Sequence, residues 1–265
     1  MSEVLSYYGA EATGKTTLGF SAIKAFPDGI MVHFDFDLGR ERAIWRFPKE
    51  LADRIKSVRF AEVPTWTLGS GAITQRWASF ERTYEMALND PQVKALFIDT
   101  ASQMHVLNAD EYLENYVKRN NPKRHQLMQI EYRFPNNRTK AKYMAAREAE
   151  KLLIVSHKEA PIYVEQFVQQ SDGSMKKESV NTGQKTFNGM GETPYYADQH
   201  LWLYLKNVNV DAAGKESKPV RLATVAQFQK PNPPAIYGVE LMAPSYERIM
   251  QVVDGVKKMS MESGQ

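Results

Sequence analysis

The chain has 265 residues, 43% of them apolar and 25% charged, fractions that fit a folded globular protein and exclude a disordered tail or a fibrous repeat. Lys and Arg number 34 against 31 Asp and Glu, a formal charge of +3, too small for whole-molecule electrostatics to hold nucleic acid. Cysteine is absent, which excludes disulfides, thiolate catalysis and cysteine-based zinc sites and fits a reducing cytoplasm. The longest apolar run, Leu201 to Leu205, is far short of the roughly 20 residues that cross a bilayer, and the start MSEVLSYYGA lacks the basic and apolar regions of a signal peptide. The expectation is a cytoplasmic protein without a membrane partner.

Val4 to Tyr8 is short and rich in β-formers, and it runs through a glycine-bounded turn into a helical segment over Thr16 to Ala25. Pro27, Asp28 and Gly29 close that helix. Ile30 to Phe36 reads as a second strand and Ser57 to Val63 as a third. From Ile73 to Leu88 the residues Trp77, Phe80, Tyr84 and Leu88 make one apolar stripe of a helix. Lys94 to Thr100 is a continuous apolar run ending in an acid, as expected of a strand buried on both faces, and a helix follows to about Val117. Asn137 to Glu150 reads as a helix and Lys151 to Ser156 as another buried strand. The polar texture of residues 166–196 predicts a mobile hairpin or loop, and a second mobile stretch is expected over 118–142. His200 to Lys206 and Arg221 to Phe228, joined by a turn at Asp211 to Gly214, predict an antiparallel extension, followed by turns around Pro231, Pro233 and Pro234. Tyr246 to Lys258 is an amphipathic terminal helix. Strands alternating with helices predict an α/β fold, a mainly parallel sheet flanked by helices. With no repeat or linker, residues 1–265 are expected to form a single domain.

Residues 9–16 are Gly9, Ala10, Glu11, Ala12, Thr13, Gly14, Lys15 and Thr16, a full match to the phosphate-binding pattern GxxxxGK[ST]. The glycines let the backbone curl so that successive N–H groups, running on to Thr17 at the helix start, converge on negative charge. In that pattern Lys15 neutralises the β- and γ-phosphates and the Thr16 hydroxyl ligates Mg²⁺. The metal needs an acid at a nearby strand tip, and Leu96-Phe97-Ile98-Asp99 supplies it through Asp99. Thr100 follows where many motor ATPases place a glutamate, so the general base must lie elsewhere. The second strand offers Asp37, and more weakly Asp35, to orient an attacking water.

With these residues in place the chain resembles the RecA family of P-loop ATPases, and within it the short core-only RecA-like proteins of phages, over roughly residues 4–240. The resemblance implies ATP as the nucleotide and gives Asp37 the place of the family's catalytic glutamate. It gives His157, in Leu152-Leu153-Ile154-Val155-Ser156-His157-Lys158, the place of the polar residue that senses the γ-phosphate. It also makes Lys230 a candidate cation acting on a neighbouring subunit, within a homo-oligomer.

From Lys118 to Lys142 there are eight basic residues against one acid, Glu131, so this segment alone carries more positive charge than the whole chain. Lys118, Arg119, Lys123, Arg124, Arg133 and Arg138 are the candidate DNA contacts, interleaved with Tyr132, Phe134 and Tyr143 as stacking faces. In the RecA-like pattern the first DNA loop precedes the His157 strand and the second follows it, where Lys176, Lys177, Lys185 and Phe187 are weaker candidates. The expected function is a Mg²⁺-dependent ATPase that binds single-stranded DNA and assists recombination, annealing or repair, in the host cytoplasm if the chain is phage-encoded. The alternatives are a nucleotide-gated binding protein acting on a replication or virion partner, and a P-loop kinase.

Overall fold

A computed structural model describes residues 3–60, 70–169, 175–208, 221–230 and 232–262. Strand β1 (Val4–Gly9) leads through the glycine loop into α1 (Lys15–Ser21), which continues as a 3₁₀ turn to Ala25. β2 (Ile30–Asp35) is followed by two short helices, α2 (Arg40–Ile44) and α3 (Lys49–Ala52), and by β3 (Ile55–Arg59). α4 (Ser70–Asn89), β4 (Val93–Asp99), α5 (Ala101–Tyr112), α6 (Lys118–Asn120) and α7 (Arg133–Glu148) come next. β5 (Leu152–Gln169) and β6 (Met175–Phe187) form a hairpin, and α8 (Thr193–Tyr196), β7 (Gln199–Val208), β8 (Arg221–Lys230), β9 (Glu240–Met242) and α9 (Tyr246–Glu262) complete the chain.

The strand order is β3-β2-β4-β5-β1-β7-β8-β9, with β6 beside the outer part of β5. Pairing is parallel from β3 through β7 and antiparallel from β7 through β9. Alternation along the central strands feeds two cores. Leu5, Tyr7, Phe97 and Ile154 pack under α1 and α9, while Val4, Leu96, Ile98 and Leu153 pack under α4, α5 and α7. The apolar stripe expected on α4 is present, with Trp77, Phe80 and Tyr84 buried. Among the described residues no helix is long and apolar enough to cross a membrane.

Four local features differ from expectation. α2 and α3 occupy a stretch with no helical periodicity, because each is too short to display one. α7 starts at Arg133, four residues before the expected Asn137, since Pro135 is tolerated in a helix's first turn. Residues 133–142 of the expected loop are therefore helical. β5 does not stop at Ser156; it leaves the parallel sheet after Lys158 and pairs with β6 from Glu159 to Gln169. The expected turn at Asp211 to Gly214, Pro231 and the end of the expected third strand lie outside the described residues.

α1 sits close to the sheet because Gly19 has no side chain. A Cβ there would lie 2.4 Å from the Phe97 ring and 2.7 Å from the Tyr7 hydroxyl, both fully buried. Alanine ordinarily favours a helix over glycine by about 1 kcal/mol, but here overpacking outweighs it. Gly19→Ala is predicted to lose about 1–3 kcal/mol in urea unfolding; an equal or higher midpoint would show that α1 can rise from the sheet without cost.

Candidate functional site

The loop between β1 and α1 closes on itself. Ala12 (φ 63°) and Gly14 (φ 87°) are left-handed, a conformation that glycine adopts without strain and alanine does not. The Thr13 hydroxyl donates to the Ala10 carbonyl at 2.9 Å, and the Lys15 ammonium lies across the curl, donating to the carbonyls of Gly9 and Ala10 at 2.9 and 2.6 Å. Tyr7 ties the first turn of α1 to β1 by donating to the Lys15 carbonyl at 2.8 Å. Burial pushes the Lys15 ammonium below its ordinary pKa, a shift that Asp99 and Asp37 oppose and Lys158 reinforces.

Asp99 ends β4 beneath this loop and is almost completely buried. Thr16 donates to its Oδ2 at 2.5 Å, Ser156 donates to its Oδ1, and His33 Nε2 stands 3.7 Å from Oδ2. Burial alone would raise its pKa; the His33, Ser156 and Thr16 interactions together outweigh that and hold the carboxyl below its ordinary value. It is therefore charged at neutral pH. Gly39 passes so near that a Cβ would lie 2.7 Å from Thr16 Oγ1 and 3.4 Å from Asp99 Oδ2, so any side chain there would fill the space beside the hydroxyl. Among the described residues no cluster of three metal-ligating side chains exists. One hydroxyl backed by a buried carboxylate fits Mg²⁺, which takes few protein ligands and completes its shell with phosphate oxygens and water.

Glu11, Ala12, Gly14, Lys15, Thr16, Thr17, Asp37 and Asp99 line one cleft of about 420 Å³. Asp37 stands at its mouth and pairs with Lys158 at 2.7 Å. Asp35 is buried beside Asp99 in the sheet register and accepts the Asp37 backbone N–H at 3.2 Å. It is Asp37, then, that meets solvent. Lys158, Ser156, Arg42 and Arg46 are site residues that the sequence reading did not single out. For Lys158 and Ser156 the signal was strand alternation, which sets both on the α1 side of β5. For Arg42 and Arg46 it was a spacing of four just past Asp37.

The same alternation turns His157 to the other side of β5, away from the cleft. Its ring is buried, with Nδ1 3.3 Å from the Asn188 carbonyl and an edge-to-face contact of 5.1 Å with Phe187. Lys230 pairs across β7 and β8 with His200, which neighbours Ser6, three residues before the loop begins. Its ammonium lies 4.2 Å above the Tyr195 ring.

The candidate DNA contacts divide into two groups. Lys118 pairs with Glu114, Arg124 with Glu131 at 2.6 Å, and Arg138 with Glu111, the Arg138 guanidinium lying 5.7 to 6.0 Å from the rings of Trp77, Tyr112 and Tyr116. Arg119, Lys123 and Arg133 are exposed and make no ion pair among the described residues. Tyr116, Tyr132 and Phe134 are exposed in the same segments. The Lys176, Lys177 and Lys185 side chains pair with Glu178, Glu165 and Glu159 on the hairpin, and Phe187 packs against Tyr8, His157 and His200.

No protein-family model matches the sequence, and no curated protein matches it. Solved structures do. A KaiC-like protein from the archaeon Pyrococcus horikoshii is similar over 91% of this chain and 84% of its own, with 13% identity and a TM-score of 0.50. The RadB recombinase is similar over 91% of this chain and 86% of its own, with 14% identity and a TM-score of 0.47. The fold is RecA-like. In this RecA-like fold the mainly parallel sheet carries the glycine loop at its centre and the antiparallel strands at its carboxy-terminal end, as the strand–helix alternation and the two late strand candidates predict.

Burial lowers the pKa of His157 to about 4 and that of His200 to about 3. An unfolded histidine takes up its proton near pH 6.5, so the unfolded chain binds more protons across the interval between. Stability is full above about pH 6.5 and falls as pH drops toward 4, by about 3 kcal/mol for His157 alone. Urea unfolding at stepped pH checks this, and His157→Asn should flatten the slope in that window; an unchanged slope would mean the imidazole is hydrated.

Proposed function

We propose that the chain is a Mg²⁺-dependent ATPase that binds single-stranded DNA and couples the two, in support of recombination, annealing or repair. The observation that carries the reading is the buried Asp99 carboxylate accepting the Thr16 hydroxyl at 2.5 Å, directly under the curl that holds Lys15. In this reading Thr16 would hold Mg²⁺, with Asp99 acting on its water shell, and the ion would supply positive charge to the phosphate tail. Lys15 and the loop amides cradle the phosphates. Asp37 orients the attacking water and takes its proton.

Lys158 supports the coupling. Its ion pair with Asp37 is about half exposed, and such pairs contribute about 0–1 kcal/mol, so a phosphate at the cleft mouth can draw the ammonium away. The same residue stands where β5 leaves the sheet for the hairpin. A change at the nucleotide therefore reaches the hairpin through one peptide unit. Arg119, Lys123 and Arg133, with Tyr116, Tyr132 and Phe134, supply free cations and ring faces of the kind that hold a single strand.

ATP hydrolysis measured with and without single-stranded DNA tests the reading, with stimulation expected. Lys15→Ala should abolish binding or turnover. Asp37→Asn should spare binding and lower turnover by about 10²- to 10⁴-fold; normal turnover would move the water-orienting role elsewhere. Reversing charge at Arg119, Lys123 and Arg133 should weaken DNA binding and reduce its log–log salt slope by about 2. Undiminished binding would shift the reading to a protein partner.

A further inference from the structure

Helix α2 and the turn after it carry three arginines, Arg40, Arg42 and Arg46, whose charge has no partner among the described residues. Arg42 and Arg46 are four residues apart, so both fall on one side of the helical turn, and both line the cleft with Lys15, Thr16 and Asp37. Arg40 does not line the cleft, and its Nε is buried without a hydrogen-bond partner among the described residues. Ala43, Ile44 and Phe47 pack in the core under α1, Glu41 pairs with Arg59, and Trp45 faces solvent. The acids of the cleft are also engaged: Asp37 with Lys158, Asp99 with Thr16 and Ser156, while Glu11 is exposed on the loop. Neither the Arg42 nor the Arg46 guanidinium makes an ion pair or hydrogen bond with a described residue.

Two guanidiniums and an ammonium around one cleft repel one another. A polyanion relieves that repulsion, and the planar fork of arginine matches phosphate oxygens in pairs. α2 follows directly from the Asp37 to Gly39 turn, so Arg42 and Arg46 reach the cleft from the same stretch of chain that carries Asp37.

We infer that Arg42 and Arg46 clamp the terminal phosphate of a nucleoside triphosphate from within the same chain, completing the site without a cation from a second copy. This rests on the ATPase reading. In hydrolysis the water oxygen bonds to the γ-phosphorus as the bond to the β–γ bridging oxygen breaks. ADP keeps that electron pair, the water proton passes to Asp37, and the two guanidiniums neutralise the equatorial oxygens.

The test compares ATP and ADP affinity by calorimetry for the wild type, the R42A/R46A double variant and R42K/R46K, with turnover followed over a wide range of protein concentration. R42A/R46A should lose the preference for ATP over ADP about tenfold or more and lose turnover about 10²- to 10³-fold. Lysines should restore only part, and they serve as the test if the alanine variant unfolds at lower temperature. Specific activity should stay flat with concentration, and mixing R42A/R46A with Lys15→Ala chains should restore nothing. An unchanged ATP preference in both variants, or rescue on mixing, overturns the clamp while leaving the ATPase reading standing. A wild type that binds neither nucleotide overturns both.

Discussion

A charged carboxylate buried in the middle of the sheet is the constraint from which the rest follows. Asp99 cannot be desolvated without partners, and its partners come from different parts of the chain. Thr16 comes from α1, Ser156 from β5 and His33 from β2. The Phe36 N–H also donates to the Asp99 backbone carbonyl at 2.6 Å. Satisfying one charge therefore fixes the seating of α1 on the sheet and the register of three neighbouring strands. The glycine loop is held between β1 and α1 with its curvature set at both ends.

The two faces of the sheet divide the labour. On the α1 side the strand ends present Asp37, Asp99, Ser156 and Lys158, polar groups arranged around the cleft. On the other side, at the same level, stand the buried His157, Tyr8 and His200 with the partly buried Phe187, a group of packed rings. Both groups grip β5 at the point where it leaves the parallel sheet. The Ser102 hydroxyl adds a third grip, accepting the Lys158 N–H at 3.0 Å and donating to the Asn188 carbonyl. α5 thus ties the end of β4 to the root of the hairpin.

What the sequence made legible was local. The phosphate loop is one contiguous pattern, and Asp99 is announced by the apolar strand that it ends. The parallel core follows from continuous apolar runs, since strands buried on both faces have no polar alternation. The cleft's other members were hidden because they depend on facing. His157 and Lys158 are adjacent in sequence, yet one step along a strand reverses the side chain's direction, and only the register of β5 against β1 shows which faces the cleft. Charge was misleading for a related reason. The acids that neutralise Lys118, Arg138 and Lys142 are Glu114, Glu111 and Glu81, all outside the basic segment, so its excess was larger on paper than on the surface. Arg42 sits in a helix too short to have a readable period, and Arg46 in the turn after it.

The continuity of β5 has a mechanical consequence. From Lys158 to Gln169 the strand is continuous, and at about 3.3 Å per residue it makes an arm of roughly 35 Å, paired with β6 from Glu159 onward with one irregularity between Pro161 and Tyr163. Its pivot is the residue that pairs with Asp37. A tilt of about 5° at that pivot would sweep the far end through roughly 3 Å, by the same strand rise.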